Sequence, residues 1–231
     1  MEPVTPRLSI IIPTLNEAEH IASLLDDLRS QSCASDQFEI IVVDGDSDDD
    51  TRAVAQRYTD KVTRVSPGRA AQMNAGAAMA CGDILWFVHA DSRVPPDAAA
   101  HVLQATTSTR PWGRFDVRLS GRQRLLRVVE YLMNLRSAVS GVATGDQGIF
   151  VQRTVFESVG GFAQQPLMED IALSKSLCRF AKPIRVKTPM LITSSRRWES
   201  RGIIRTILLM WRLRLAYAFG VPPGTLARLY R

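Results

Sequence analysis

The chain is short of cysteine, of aromatic residues and of the glycine motifs that announce common nucleotide sites. Of its 231 residues three are cysteines, Cys33, Cys81 and Cys178, and none stands in a CxxC spacing. That argues against zinc, thioredoxin-type redox chemistry or a disulfide framework, and a reducing cytosol suits such a chain best. No GxGxxG follows the first apolar run and no GxxxxGK[ST] occurs, which weighs against dinucleotide and P-loop sites. Aromatic residues are 7% of the chain and few are interleaved with the basic ones. With no helix-turn-helix spacing either, nucleic acid is not an expected partner. Low-complexity blocks and internal repeats are also missing. The amino terminus, MEPVTPRLSIIIPTL, begins with an acid and its apolar run is cut by Pro13, so it does not read as a signal peptide and the chain is expected to be cytoplasmic.

What is present is enough apolar residue, 45%, to bury one substantial core. The formal charge is +6, unevenly spread. Acids gather in DGDSDDD at 44–50, whereas arginines crowd SSRRWESRGIIR and LLMWRLRL near the other end. A basic excess of this kind fits a phosphate-bearing ligand, an anionic membrane face or mere solubility.

LSIIIPTL, FEIIVVDG, VTRV and DILWFVHA are short apolar runs that end in turn residues, separated by stretches with helical spacing such as AVAQRY and RAAQMNAGAAMA. Alternation of this kind predicts an α/β fold with a mainly parallel sheet covered on both faces. Beyond about residue 95 the pattern loosens: RFDVRL predicts a strand, RLLRVVEYLMNLRSAV an amphipathic helix, GIFVQRTVFESVGGF a strand turning into a short helix, EDIALSKSLCRFA a helix and PMLITS a strand. The expected organisation is one domain over 1–231: a nucleotide-binding half to about 95, an acceptor half from about 96 to 200, and a basic, apolar helix and tail from about 201.

In parallel sheets ligands bind beyond the carboxyl ends of the strands. Asn16, Glu17, Asp44, Asp46, His89 and Asp91 all fall at such ends. Each alone reads best as a helix cap or turn residue, but their convergence points to a site. Asp44 can accept hydrogen bonds from a base or ribose. Asp91 can bind a hard divalent cation that carries phosphate oxygens, and His89 can add an imidazole or bind phosphate, unless it is a half-buried histidine satisfied by backbone. GDQG at 145–148 and the adjacent acids Glu169 and Asp170 add further carboxylates, with first-turn helix residues as the bland alternative.

The run IIRTILLMWRLRLAYAF raises the question of a membrane. Arg205, Arg212 and Arg214 would each cost about 2.5–3.5 kcal/mol at mid-bilayer, which rules out a span. Arg201, Arg205 and Arg212 fall on one side at helical spacing, so a helix lying on the inner membrane face is an alternative to packing on the domain or on a second copy in a homodimer.

Taken in order, SIIIPTLNE, IIVVDGDSDDDT, GRAAQMNAGAAMACGDILWFVHADS, GDQGIFV, MEDIALS and SSRRW resemble the family 2 glycosyltransferases of the GT-A fold from end to end. The HAD in place of an acidic triplet and the GRAAQMN run look like a small bacterial branch associated with radical SAM or selenium-linked proteins. The resemblance implies that Thr14, Glu17 and Asp44 hold the base and ribose of a nucleotide sugar, with Arg69 and Asn74 on the diphosphate and sugar side. Where the family has Asp-Gly after its first aspartate, this chain has Gly45-Asp46. HADS stands at the DxD position, implying Asp91, with His89, as the ligand of Mn2+ or Mg2+. Asp170 matches the catalytic base of the ED motif with Glu169 in support, and Arg196, Arg197 and Trp198 look like a shortened QxxRW that grips the diphosphate.

The implied reaction is inverting transfer of a sugar from a nucleotide-diphosphate sugar to an acceptor hydroxyl, lipid-linked or not. The alternatives are a nucleotide-sugar-binding protein without turnover, and a nucleotidyltransferase, whose usual glycine-rich basic loop after the first strand is missing from PTLNEAEH.

Overall fold

The computed structural model describes residues 6–230. Its elements run β1 (Leu8–Thr14), α1 (Ala18–Arg29), β2 (Phe38–Asp44), α2 (Thr51–Gln56), β3 (Val62–Arg64), α3 (Arg69–Met79), β4 (Ile84–Phe87), α4 (Ala98–Ala105) and β5 (Trp112–Leu119). They continue with α5 (Arg124–Ser140), β6 (Phe150–Gln152), α6 (Arg153–Ser158), α7 (Glu169–Leu177), β7 (Ile184–Thr193), α8 (Arg196–Arg201), α9 (Ile203–Ala218) and α10 (Pro223–Tyr230).

The near-continuous apolar runs of the first strands have a simple cause: both faces of the sheet are covered. Leu8, Ile10 and Ile12 of β1 pack with Ile21, Leu24, Leu25 and Leu28 of α1. Ile11, pointing the other way, joins Ala70 and Met73 of α3 and Leu173 and Leu177 of α7. Alternate residues of one strand thus feed two separate cores.

The seven strands lie in the order β3-β2-β1-β4-β6-β5-β7. β2 and β4 both pair with β1 in parallel, while β6 runs antiparallel to β4 and to β5. The mainly parallel sheet expected from sequence is therefore mixed on its second half. Chain order reverses at β1, with β2 on one side and β4 on the other, so the loops after β1 and β4 diverge around a crevice at their carboxyl ends.

The second half is tied to the sheet through buried polar groups. Arg114, 1% exposed, and Arg185 both pair with Asp116, and Asn134 of α5 bonds the backbone N–H and C=O of Val117 through its side-chain amide. These contacts fix one face of α5 against β5 and leave the opposite face outward. Cys33, Cys81 and Cys178 are all free. Among the described residues no helix is long and apolar enough to cross a membrane.

Candidate active site

The first two strand ends are locked together before any ligand arrives. Thr14 and Asp44 are register partners at the ends of β1 and β2. Asp44 is fully buried, and its oxygens accept from the Thr14 hydroxyl at 3.3 Å, from the Ser47 backbone at 2.9 Å and from the Ser47 hydroxyl. The Asn16 N–H donates to Ser47 Oγ and the Asn16 side chain accepts from Asp48 N, each at 2.9 Å. The Glu17 N–H donates to Thr51 Oγ1 at 2.9 Å and the Ala18 N–H to Asp49 Oδ2 at 3.1 Å. Part of the acidic run therefore satisfies open backbone donors at the start of α1, as capping chemistry requires. Gln72 reinforces the lock by donating to Thr14 O at 2.7 Å and Val43 O at 2.9 Å. Gly45 is needed beneath it, since a Cβ there would lie 2.9 Å from the Gln72 amide nitrogen. Asp46, at φ 72°, points away and pairs with Arg64. The reversed Gly-Asp order thus follows from packing.

Beside this lock opens a cleft of about 730 Å³. Thr14 and Glu17 line it from the loop after β1, His89 and Asp91 from the loop after β4, and Arg69 from the start of α3. Gly145, Asp146, Glu169 and Asp170 line it from the second half, with Arg196, Arg197 and Trp198 of α8. Asp44 and Asn74 are not in its lining. Asn74 is instead engaged by both ends of its amide with the backbone of Phe162, at 2.8 and 2.9 Å.

Arg196 joins the two sides of the crevice: one guanidinium nitrogen lies 3.1 Å from Glu17 Oε2 and 3.3 Å from Asp91 Oδ2. Burial opposes its charge, but the two carboxylates outweigh that and raise its pKa. No group of three His, Cys, Asp or Glu side chains suited to a metal exists among the described residues. A divalent cation here would take one or two carboxylate oxygens from the protein and the rest from phosphate and water, a donor set that suits hard cations. Glu17 and Asp91, which already share a cation in Arg196, fit that role.

His89 faces a different partner. Its Nδ1 lies 3.3 Å from Asp146 Oδ1, and its Nε2 edge rests where a Cβ on Gly145 would sit at only 2.5 Å. Burial works against the Asp146 charge, yet the hydrogen bond and charge of His89, aided by Arg69 and Arg197, hold its pKa below the usual range. The Gly145 N–H donates to Asp170 Oδ2 at 2.9 Å and the Ile171 N–H to Oδ1 at 2.7 Å. GDQG thus connects the histidine after β4 to the acid that opens α7. Gln147, fully buried, anchors the turn by accepting from Ser137 and from Thr144 N.

Asp170 and Glu169 are both pushed up in pKa, chiefly by burial. Asp146 adds to the rise of Asp170, against which its two backbone N–H bonds work, and Asp170 adds to that of Glu169. The Arg69 charge opposes both shifts. Half-buried Arg136 of α5 lies within electrostatic reach of Asp170 and Asp146, and burial lowers its pKa. Arg197 stacks on the Tyr230 ring, 3.9 Å from guanidinium carbon to centroid, and is lowered in pKa by burial and by Arg69 and Arg201. Trp198 packs against the cluster of Leu119, Leu126, Val129 and Ile203 while its residue still borders the cleft. Gln72, Arg136 and Tyr230 are not singled out by sequence reasoning, and Asp146 enters it only as the carboxylate of GDQG, since their roles depend on partners distant in the chain.

A mixed seven-stranded sheet with this crevice has the frame of a glycosyltransferase of the GT-A fold. The mannosyltransferase PcManGT of Pyrobaculum calidifontis, solved with GDP-Man and Mn2+, superposes with a TM-score of 0.69 at 23% identity over 97% of this chain and 69% of its own. Glucosyl-3-phosphoglycerate synthase of Mycobacterium tuberculosis, solved with Mn2+ and UDP-glucose, gives 0.63 at 21% identity over 94% of this chain and 80% of its own. The chain belongs to glycosyl transferase family 2, whose profile matches residues 9–154. A curated relative, the beta-monoglucosyldiacylglycerol synthase of Synechocystis, is 26% identical across 93% of this chain. The chain spans about half the length of that relative, 48%.

Proposed function

We propose that the chain transfers a sugar, with inversion, from a nucleotide-diphosphate sugar to an acceptor hydroxyl. The observation that carries this reading is the presence of Asp170 and Asp91 on the wall of one cleft with Arg69, Arg196 and Arg197. Asp170 takes the proton of the acceptor hydroxyl, and its raised pKa suits a base that works near neutral pH. The freed oxygen bonds to the anomeric carbon as the bond to the nucleoside diphosphate breaks. Glu169 supports the base, and the three arginines pair with diphosphate oxygens through their planar forks. Asp91, with Glu17 beside it, would hold Mn2+ or Mg2+, whose chemistry is to offset charge on the departing diphosphate. His89 acts through Asp146, and Thr14, Glu17 and Trp198 border the donor. Asp44 serves the donor indirectly, by shaping the loops around it.

Neighbours solved with GDP-Man and with UDP-glucose support a nucleotide-sugar donor. The Synechocystis relative, named for a glucosyl lipid product, supports an acceptor hydroxyl on a lipid. Three free cysteines suit an intracellular setting. The HADS and GRAAQMN variants support the small bacterial branch associated with radical SAM or selenium-linked proteins.

Calorimetry with UDP-, GDP- and dTDP-sugars, with each metal and with chelator, identifies the donor; transfer or donor hydrolysis is then followed for wild type and Asp170→Asn. The expected result is metal-dependent donor binding that the substitution leaves in place while turnover falls by about 10²–10⁴-fold. Unchanged function in the variant would favour a binding protein without turnover, and a panel that binds nothing would overturn the donor site.

A further inference from the structure

α9 presents two different faces. Thr206, Met210 and Arg214 border the cleft. On the other side Ile204, Leu208, Trp211 and Leu215, each at least 60% exposed, recur at helical spacing as an apolar stripe. The helix does not stand alone. α5 meets it through Leu126, Val129 and Met133, packed with Ile203 and Ile207. α5 in turn exposes Val128, Leu132, Leu135 and Val139, the last at 81%. Ile207 lies on the edge of α9 that faces α5, and Arg205 and Arg212 lie on the far edge, so the stripe of α9 sits between the seam and the arginines. The result is an outward apolar surface across two neighbouring helices, of a kind a monomer in water rarely keeps without a partner.

Charge narrows the partner. No acid occurs anywhere from residue 203 to 231, and the only one from 120 to 140 is Glu130. Glu130 is committed to Arg127 and to the Leu119 N–H. At the foot of α5 a recess of about 400 Å³ is lined by Arg118, Arg122 and Arg127. The nearest other acid is the exposed Glu199 of α8, beside Gly121 at the rim of that recess. A second copy docked about a two-fold axis would bring several arginines of each border together with that one acid to meet them. An anionic lipid surface complements both the apolar stripes and their basic margin.

We propose that the α5 and α9 faces together form a monotopic docking surface for an anionic bilayer. α9 lies flat, with its apolar stripe in the headgroup boundary and its other face lining the cleft. The wall between membrane and cleft is then one helix thick. Docking goes beyond the transfer reaction and does not depend on it.

The full chain is mixed with vesicles of phosphatidylcholine alone and of phosphatidylcholine with phosphatidylglycerol, then sedimented, with tryptophan emission and gel filtration in parallel. The expected result is co-sedimentation with the anionic vesicles only, with a blue shift that Trp211→Ser removes. Arg205→Glu with Arg212→Glu should weaken binding by about 30-fold or more. Trp211→Ser with Val139→Ser, at positions 67% and 81% exposed, should leave the thermal midpoint in place and weaken binding by about tenfold. Binding that these variants leave intact would overturn the assignment of this face. A chain that stays off vesicles overturns docking as well; if it runs as a dimer that Trp211→Ser splits, the face belongs to a second copy.

Discussion

The Arg196 guanidinium lies 3.3 Å from the Asp91 carboxylate, on the same nitrogen that lies 3.1 Å from Glu17. The chain thus keeps its own cation between the acids that would otherwise repel each other across the crevice. A metal ion arriving without phosphate must compete with that arginine, whereas one carried by a diphosphate offers the arginine a new anion. Arg196→Ala should therefore bind free Mn2+ more tightly, by about tenfold, and nucleoside diphosphate with Mn2+ more weakly, by about tenfold or more. Calorimetric titration of both ligands checks this; parallel changes in the two affinities would refute the exchange.

The pH profile should carry the mark of burial at Asp170. A base acts only when ionised, and the Asp170 pKa is raised, so turnover should rise with pH through a range above that of an ordinary carboxylate. The Asp146 charge contributes to that rise. Asp146→Asn should shift the acid limb of kcat toward lower pH while plateau activity falls by no more than about tenfold. An unmoved or upward-shifted limb would separate Asp146 from the base.

Gly145 stands where there is no room for a side chain. A Cβ there would lie 2.5 Å from His89 Nε2, and its N–H holds Asp170 at 2.9 Å. Gly145→Ala should displace the imidazole and the base together, lowering kcat by about 10–100-fold. Donor affinity should change little, because the loop after β1 and the arginines of α8 are untouched. Equal loss in kcat and in donor binding would show that the turn shapes the donor site as well.

Asp44 should act on stability first. Its removal leaves the Ser47 N–H without its acceptor and the buried Thr14 hydroxyl with only the 3.5 Å contact to Val43 O. Asp44→Ala is expected to cost about 2 kcal/mol, or about 4–8 °C in thermal midpoint for a chain of this size. Denaturation curves and calorimetry on the same sample separate this from lost nucleotide contact, which would leave the midpoint unchanged.

Much of the fold was legible because its signals are local. Continuous β-branched runs such as EIIVVD and the spacing of RLLRVVEYLMNLRSAV fix strand and helix within a few residues. The strand in GIFVQ is legible as β6, but its antiparallel direction is not, because pairing direction leaves no mark on a three-residue strand. α4, α8 and α10 are not legible; helices of six to eight residues show little periodicity of their own, and the equally short α2 and α6 are readable from the strand runs beside them. At the site, strand-end position singles out Glu17, His89 and Asp91, and all three line one cleft. What the residues do there was not visible. Asp44 and Asn74 look like ligand contacts in one dimension, but partners 30 and 88 residues away engage their side chains. His89 and Asp91 stand two apart in sequence yet face Asp146 and Arg196.

Tyr230 closes over Arg197 with its ring and accepts from Arg201 through its carbonyl oxygen. Leu226, on the same helix, is fully buried beside Leu213. For anyone preparing the protein, this makes the carboxyl end the wrong place for a purification handle or a trimmed boundary. A fusion that pulls α10 aside would open one wall of the cleft and uncover apolar surface, yielding material that looks folded by its sheet and fails at its chemistry.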